Sequence, residues 1–122
     1  MSQEKFVFVY GTLKRNCANH QFLTDQKYVG EARTVPGFRL YDLGGYPGLV
    51  AHAADRDGVT GEIWAVDAAA LGRLDALEGL AEGLYRRAPL PLLPPFSDQG
   101  IEGYFYARSV AGHRDLGATW RE

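Results

Sequence analysis

Residues 6–13 read Phe6-Val7-Phe8-Val9-Tyr10-Gly11-Thr12-Leu13. The first five are aromatic or β-branched without a polar interruption, which is typical of a strand buried on both faces in the centre of a sheet. Gly11 then ends the run and permits a turn whose successive backbone N–H groups point into one hollow, an arrangement that attracts anions. The stretch therefore predicts a central strand followed by a candidate substrate cradle at Tyr10, Gly11, Thr12 and Leu13.

Strand candidates dominate the rest of the chain, each bounded by Gly, Pro or Asp. They are Tyr28–Val35, Phe38–Leu43, Val59–Val66, Leu84–Ala88 and Ile101–Ala107. Turns at Pro36-Gly37 and at residues 55–58 indicate that part of the sheet is antiparallel. The proline-rich segment Pro89–Pro95 is typical of an extended loop or an edge segment.

One helix is well marked. Asp67 is a plausible N-cap, Ala68–Glu78 forms the body, and Gly79 is placed to end it. A second short helix is expected around His20–Leu23. Many strands with one or two helices and no alternating rhythm predict a single α+β domain over residues 1–122, with a small, mixed, partly closed barrel-like sheet and flanking helices.

The composition excludes several classes of protein. The chain has 122 residues, 46% of them hydrophobic and 23% charged, with a net charge of -2 and one cysteine. Mixed charges offer no basic stripe for nucleic acid, and no apolar run approaches the roughly 20 residues of a membrane-spanning helix. The absence of an export signal and of a possible internal disulfide makes the cytoplasm the expected compartment. The sequence does not indicate an oligomeric state.

Glu78 is the main candidate for acid–base chemistry. It lies four residues after Leu74 and seven after Leu71, so all three project from nearly the same helix face. A carboxyl group at the end of this apolar stripe would be partly desolvated, and its pKa should rise. Two placements without a catalytic role also remain open: Glu78 could reach solvent, or it could pair with Arg86 or Arg87. The rival carboxylates Asp75 and Glu82 are expected to be solvated.

Neither a metal site nor a cofactor is indicated. The residues His20, His52 and His113 lack the short spacings of ligand pairs, and Gly44-Gly45 lacks the pattern of a nucleotide-binding loop. Cys17 could act as a nucleophile only beside a histidine, and nothing in the sequence pairs them. An inert cysteine is the simpler interpretation.

Two separate segments resemble the signatures of one family. Residues 8–15, followed by Asn19-His20, are similar to the N-terminal signature of the gamma-glutamylcyclotransferase family, which includes the gamma-glutamylamine cyclotransferases. Residues 74–79 and then Leu84-Tyr85-Arg86-Arg87 resemble its second signature. Residues 61–66 and Gly45-Tyr46-Pro47 also resemble the family. Two motifs in the right order are far more specific than either alone.

The resemblance implies an enzyme that converts a gamma-glutamyl amine or gamma-glutamyl amino acid to 5-oxoproline without a cofactor. Glu78 would be the acid/base, and Tyr85 would lie beside the pocket. Pro89–Pro95 and the last fifteen residues depart from the family pattern, which leaves the far wall of the pocket, and so the released amine, open. Two other readings are a binding protein for a small anionic ligand and a module that uses its PxxP spacing to bind aromatic grooves.

Overall fold

A computed structural model describes residues 4–97 and 99–121 of the chain. Within them the chain forms eight strands, one α-helix and a short 3₁₀ helix at His20–Leu23. The elements are β1 Lys5–Val9, β2 Lys27–Arg33, β3 Phe38–Asp42, β4 Pro47–Ala51, β5 Thr60–Val66, α1 Ala68–Leu77, β6 Tyr85–Pro89, β7 Glu102–Tyr106 and β8 Arg114–Gly117. In the described part of the chain, no helix has both the length and the apolar character needed to cross a membrane.

The strands form one mixed sheet in the order β2-β5-β1-β7-β4-β3-β8, with β6 paired to β7. The β1–β7 and β4–β7 pairs are parallel, and the other pairs are antiparallel. Strand β7 has three partners. β6 runs along one side of it, while β1 and β4 share the other side, pairing at Phe8↔Gly103 and Leu49↔Phe105. The predicted α+β class with a mixed sheet is confirmed.

The sheet is not closed. Its end strands β2 and β8 do not pair with each other in the described parts of the chain. The chain beyond β8 returns towards β5 through a hydrogen bond of 2.8 Å from the Thr60 N–H to the Ala118 carbonyl. A single α-helix, rather than several, packs against the sheet. The expectation of a partly closed, barrel-like sheet with flanking helices is therefore met only in part.

Strand β1 is central, as its sequence predicts. Val7 and Phe8 are fully buried, and Val9 is 2% exposed. Successive side chains of a strand point to opposite faces, so Val7 and Val9 pack in one hydrophobic cluster with Leu74 of α1. Phe8 packs in a second cluster with Leu49 of β4. The two clusters make β1 the shared layer of the core.

All six predicted strands are present, with ends that differ by one or two residues. The sequence reading missed β4 and β8. Strand β4 begins with Pro47-Gly48, residues that usually mark a loop, but a proline lacking an N–H is tolerated as the first residue of a strand. Strand β8 is a four-residue edge strand with polar residues at its start. The segment Pro89–Pro95 is not simply a loop, because Leu90 and Leu92 are buried in the core.

The helix begins at Ala68 as the sequence predicts and ends at Leu77, one residue before the predicted end. The Asp67 carboxylate accepts a hydrogen bond of 2.8 Å from the Ala70 N–H and so caps the first turn. Glu78 is the C-cap residue, and Gly79 follows with a φ of 67°. A left-handed backbone of this kind suits glycine and turns the chain away from the helix axis.

A buried carboxylate, Asp55, holds the loop between β4 and β5. Its side chain is 1% exposed and pairs with Arg39 at 3.2 Å. It also accepts hydrogen bonds from the backbone N–H groups of Gly37, Asp57 and Gly58, at 3.0, 3.1 and 2.7 Å. Burial acts to raise the pKa of Asp55, but these backbone hydrogen bonds outweigh it and lower the pKa below the usual 3.8.

Asp55→Ala should lower the free energy of unfolding by about 2–4 kcal/mol near neutral pH, because it leaves Arg39 and three backbone donors without their acceptor. A lowered pKa stabilises the fold above the unfolded value and loses that effect as the pH falls through the folded value. Urea unfolding should therefore show the deficit shrinking below about pH 4. Asp57→Ala is the matched control, since the Asp57 side chain is exposed. Equal stability of the two variants at neutral pH would contradict this role.

Candidate functional site

A cavity of about 310 Å³ lies where β1 ends and β4 begins. The turn Tyr10–Leu13 and the loop Gly45–Pro47 both line it. The end of α1 contributes Leu77 and Glu78, and Tyr85 and Tyr104 come from β6 and β7. The volume is at the lower end of the range for small-molecule sites. Every site residue named from the sequence thus lines the same cavity.

Glu78 is the one acidic or basic residue among the described residues that line this cavity. Its side chain is half-buried, and its carboxyl group makes no hydrogen bond or ion pair with any described residue. Burial raises the pKa of Glu78 from 4.5 to about 7, because the ionised form loses water without gaining a partner. Such a group can both accept and return a proton near neutral pH.

The last turn of α1 fixes where Glu78 points. Its backbone N–H donates to the Leu74 carbonyl at 2.9 Å, and Leu74 is fully buried one turn earlier on the same face. The alternative in which Glu78 pairs with Arg86 or Arg87 is not observed, and the Glu78 side chain is half-buried rather than fully solvated. Arg87 pairs with Asp75 and Glu102, and Arg86 lies over the Phe105 ring at 4.7 Å.

The expectation that Asp75 is solvated is wrong. Its carboxylate accepts hydrogen bonds from Arg87 and from the Tyr104 hydroxyl. Glu82, in contrast, is exposed as expected. Helical spacing placed Asp75 slightly off the apolar stripe, but it could not reveal a partner that comes from another part of the chain.

Hydrogen bonds to its carbonyl groups stabilise the turn after β1. The Gly11 carbonyl accepts from the Lys14 N–H at 3.1 Å, and the Thr12 carbonyl accepts from the Asn19 N–H at 2.8 Å. The Asn19 side chain also donates to the Thr12 hydroxyl at 2.9 Å. By contrast, the N–H groups of residues 11–13 donate to no acceptor within the described parts of the chain. Three unused donors on a cavity wall are a feature of anion sites.

Gly11 is required by close packing rather than by an unusual backbone. A Cβ atom at this position would lie 2.7 Å from Cγ of Pro47, well inside contact distance. Glycine therefore lets the loop before β4 approach the end of β1. This contact joins the turn and the loop where both line the cavity.

The tyrosine hydroxyls hold the walls together. The Tyr10 hydroxyl donates to the Tyr104 carbonyl at 2.7 Å and accepts from the Leu49 N–H at 3.2 Å. The Tyr85 hydroxyl donates to the Pro47 carbonyl at 2.6 Å. Burial raises the pKa of both tyrosines well above the usual 10, and the nearby charge of Glu78 adds to the effect. Both side chains therefore stay neutral and structural in the free protein.

Some lining residues escaped sequence reasoning. Tyr104 and Leu77 carried no signal of their own, whereas Gly45–Pro47 and Asn19 were noticed only through the family resemblance. The segment Pro89–Pro95 and the described part of the last fifteen residues do not line the cavity. These two departures from the family pattern therefore lie outside the residues that line the cavity.

The fold and the cavity together define a class of protein: a small α+β domain whose ligand-sized cavity holds an unpaired carboxyl group near unused backbone donors. The chain belongs to the family described as gamma-glutamyl cyclotransferase, AIG2-like, which matches residues 7–122.

Individual relatives agree with this assignment. The gamma-glutamylcyclotransferase family protein YtfP of Escherichia coli is 37% identical over 106 residues, covering 87% of this chain and 86% of that protein. A Vibrio cholerae relative is 44% identical over 75 residues, and the match spans 62% of this chain and 63% of the relative's length. The crystal structure of an AIG2-like protein from Mus musculus superposes with a TM-score of 0.72 at 29% identity, covering 90% and 80% of the two chains.

Glu78→Gln should stabilise the protein at alkaline pH. A raised folded pKa means that the folded state binds the Glu78 proton more tightly, so stability falls as the pH rises from about 4.5 to about 7. At about 1.4 kcal/mol per pKa unit, the variant should gain about 3 kcal/mol over the parent at pH ~8 and almost nothing at pH ~4.

Chemical unfolding at the two pH values measures this difference. Glu82→Gln is the matched control, because that carboxylate is exposed and should show no pH-dependent gain. A gain that is independent of pH would mean that the Glu78 carboxylate is not desolvated in the folded protein.

Proposed function

We propose that this protein is a cyclotransferase that converts a gamma-glutamyl amine or gamma-glutamyl amino acid to 5-oxoproline and releases the free amine. The observation that carries the proposal is the Glu78 carboxyl group, which has no partner in the cavity and a pKa of about 7. Membership of the gamma-glutamyl cyclotransferase family supports the same reaction.

The reaction is an internal acyl transfer. The alpha-amino nitrogen of the substrate attacks the carbonyl carbon of its own side-chain amide and closes a five-membered lactam. The bond from that carbon to the amide nitrogen then breaks, and the amine leaves with an added proton. Because the nucleophile and the electrophile belong to one molecule, holding them in line can lower the barrier substantially, within a limit of ~7–11 kcal/mol.

Glu78 serves both proton transfers in this scheme. Its ionised form removes a proton from the substrate ammonium group and so frees the nucleophile. The neutral acid then returns that proton to the departing nitrogen. The ring nitrogen gives up its second proton to solvent as the lactam forms, and the released amine takes one up from solvent to become an ammonium ion. A pKa of about 7 keeps both forms accessible near neutral pH, whereas a carboxyl group in water would be a weak base and almost fully ionised.

In this scheme the unused N–H groups of residues 11–13 bind a negatively charged group of the substrate. They can stabilise the oxyanion that forms on the attacked carbonyl, or they can hold the alpha-carboxylate of the substrate. Fixed donors favour either anion because they need no reorganisation as charge develops. Tyr10 and Tyr85 support the donors indirectly, since their hydroxyls join the strands and the loop that form the cavity.

Glu78→Gln should lower kcat for 5-oxoproline release by at least about 10²–10⁴-fold, because the amide cannot carry the proton between the two nitrogens. The measurement is 5-oxoproline formation from a panel of gamma-glutamyl compounds. Glu82→Gln, which alters an exposed carboxylate outside the cavity, should retain the parental rate. Turnover of Glu78→Gln near the parental rate would refute the assignment of Glu78.

Melting shifts with the same compounds separate catalysis from simple binding. A shift accompanied by 5-oxoproline supports the enzyme, and a shift without product from the parent protein supports the alternative of a non-catalytic binding protein for a small gamma-glutamyl or other anionic ligand.

The cavity also indicates which amine is released. None of the described residues that line it is Lys, Arg or His. A second carboxylate beside the scissile amide would therefore find no counter-ion and would lie close to Glu78. Instead, the partly exposed apolar side chains Tyr46 and Leu77, at 38% and 37%, line the cavity. An aliphatic amine is the better fit to these surroundings.

A matched pair of substrates tests this preference. Gamma-glutamyl-propylamide and gamma-glutamyl-2-aminobutyrate differ only in the carboxylate beside the leaving nitrogen. Gamma-glutamyl-propylamide should have a kcat/KM about tenfold or more above that of gamma-glutamyl-2-aminobutyrate, since an unpaired carboxylate loses hydration without compensation. An equal or reversed ratio would contradict this preference.

A further inference from the structure

The last turn of α1 is attached to the sheet by a bidentate ion pair. Arg87 donates from Nε to Oδ1 of Asp75 at 2.9 Å and from Nη2 to Oδ2 at 3.0 Å. Two parallel hydrogen bonds fix direction as well as distance, because the guanidinium and the carboxylate are both planar. The side chains are 20% and 24% exposed, so the pair is shielded from much of the solvent.

A third contact comes from the neighbouring strand. Tyr104 lies directly opposite Arg87 in the β6–β7 register, and its hydroxyl donates to Oδ1 of Asp75 at 2.7 Å. Directly opposed residues project from the same face of a sheet. Arg87 also pairs with Glu102 of β7. Side chains from two adjacent strands thus bind Asp75, and Arg87 is bound by both Asp75 and Glu102.

The spacing of these residues couples the attachment to the cavity. Asp75 and Glu78 are three residues apart in the last helical turn, and Tyr85 and Arg87 are two apart in β6, so each pair shares one face of its element. Arg87 meets Asp75, and Tyr85 lines the cavity with Glu78. Rotation of the helix end that moved Glu78 away from the cavity would break the bonds of Asp75.

Glu78 needs such a restraint. It lies beyond the last helical residue, and its carboxyl group has no hydrogen bond to any described residue. Burial disfavours its ionised form, so movement into water would lower the free energy of that form. Helix ends fray readily, and a C-cap side chain could make that movement at little cost. The titratable groups that line the cavity with Glu78 are Tyr10 after β1, Tyr46 before β4, Tyr85 of β6 and Tyr104 of β7.

We propose that Asp75 and Arg87 are positioning residues, whose ion pair holds the last turn of α1 against β6 and β7 so that the Glu78 carboxyl group stays in the cavity. Neither residue touches the substrate in this scheme. The importance of the ion pair for turnover rests on the proposed function, but its effect on the placement of Glu78 does not.

The test uses two variants that preserve net charge. Arg87→Lys keeps the cation but loses the fork that binds both carboxylate oxygens. Asp75→Asn/Arg87→Gln removes both charges together, which avoids leaving either one unpaired if a single change impairs folding. Arg86→Lys makes the same chemical change at the adjacent residue, which lies outside the Asp75 contacts.

Carboxyl-carbon NMR of the labelled protein should show the Glu78 pKa falling from about 7 towards the usual 4.5 in Arg87→Lys and in the double variant, but not in Arg86→Lys. Arg87→Lys keeps both the Asp75 carboxylate and a positive charge at residue 87, so a fall in that variant reports movement into solvent rather than the loss of a charge. The kcat for 5-oxoproline should fall by about 10–100-fold with a smaller change in KM, since a displaced acid/base affects the chemical step.

A folded Arg87→Lys or double variant that keeps the parental Glu78 pKa and kcat would overturn the proposal. Absence of 5-oxoproline from the parent protein with every substrate would refute the proposed function instead, while the NMR titration would still decide whether the ion pair places Glu78. The two failures are therefore distinguishable.

Discussion

The site depends on the way that β1 and β4 share one side of β7. The two strands pair with different parts of β7, β1 at Gly103 and β4 at Phe105. The end of β1 therefore diverges from the start of β4. The Tyr10 hydroxyl spans this junction by bonding Tyr104 and Leu49. The space that the two strands leave between the turn after β1 and the loop before β4 is the cavity. Its shape is therefore a consequence of sheet pairing.

The chemistry depends on a carboxyl group that the fold leaves unsatisfied. Asp55 and Glu62 are also buried, but backbone donors and an arginine surround Asp55, and Glu62 accepts from Arg15 and the Trp64 ring nitrogen. The Asp55 carboxylate, whose pKa these bonds lower, stabilises the fold as an anion. Glu78 has no such partner, and its ionised form reduces stability at high pH. Proteins retain groups of this kind mainly where they serve function.

Most polar groups around Glu78 form hydrogen bonds that hold the strands and loops of the cavity together. Tyr85 and Tyr10 bind backbone carbonyls, and Tyr104 binds Asp75. Among the described residues that line the cavity, the Glu78 carboxyl and the N–H donors of residues 11–13 make no such bond. The proposed acid/base and anion cradle suit a substrate that carries its own nucleophile, because the protein then needs only to orient it, transfer protons and stabilise one negative charge.

The sequence by itself determined the elements that short-range physics controls. The continuous apolar run of β1, the cap at Asp67 and the stop at Gly79 predicted a central strand and a helix that carries Glu78 on its inner face, and the family motifs singled out the turn and Tyr85. Features that depend on contacts between distant parts of the chain were decided only by the tertiary structure. Strand β4, the contact of Gly11 with Pro47, and the ion pair of Asp75 with Arg87 all join residues distant in the chain, so no local spacing could reveal them.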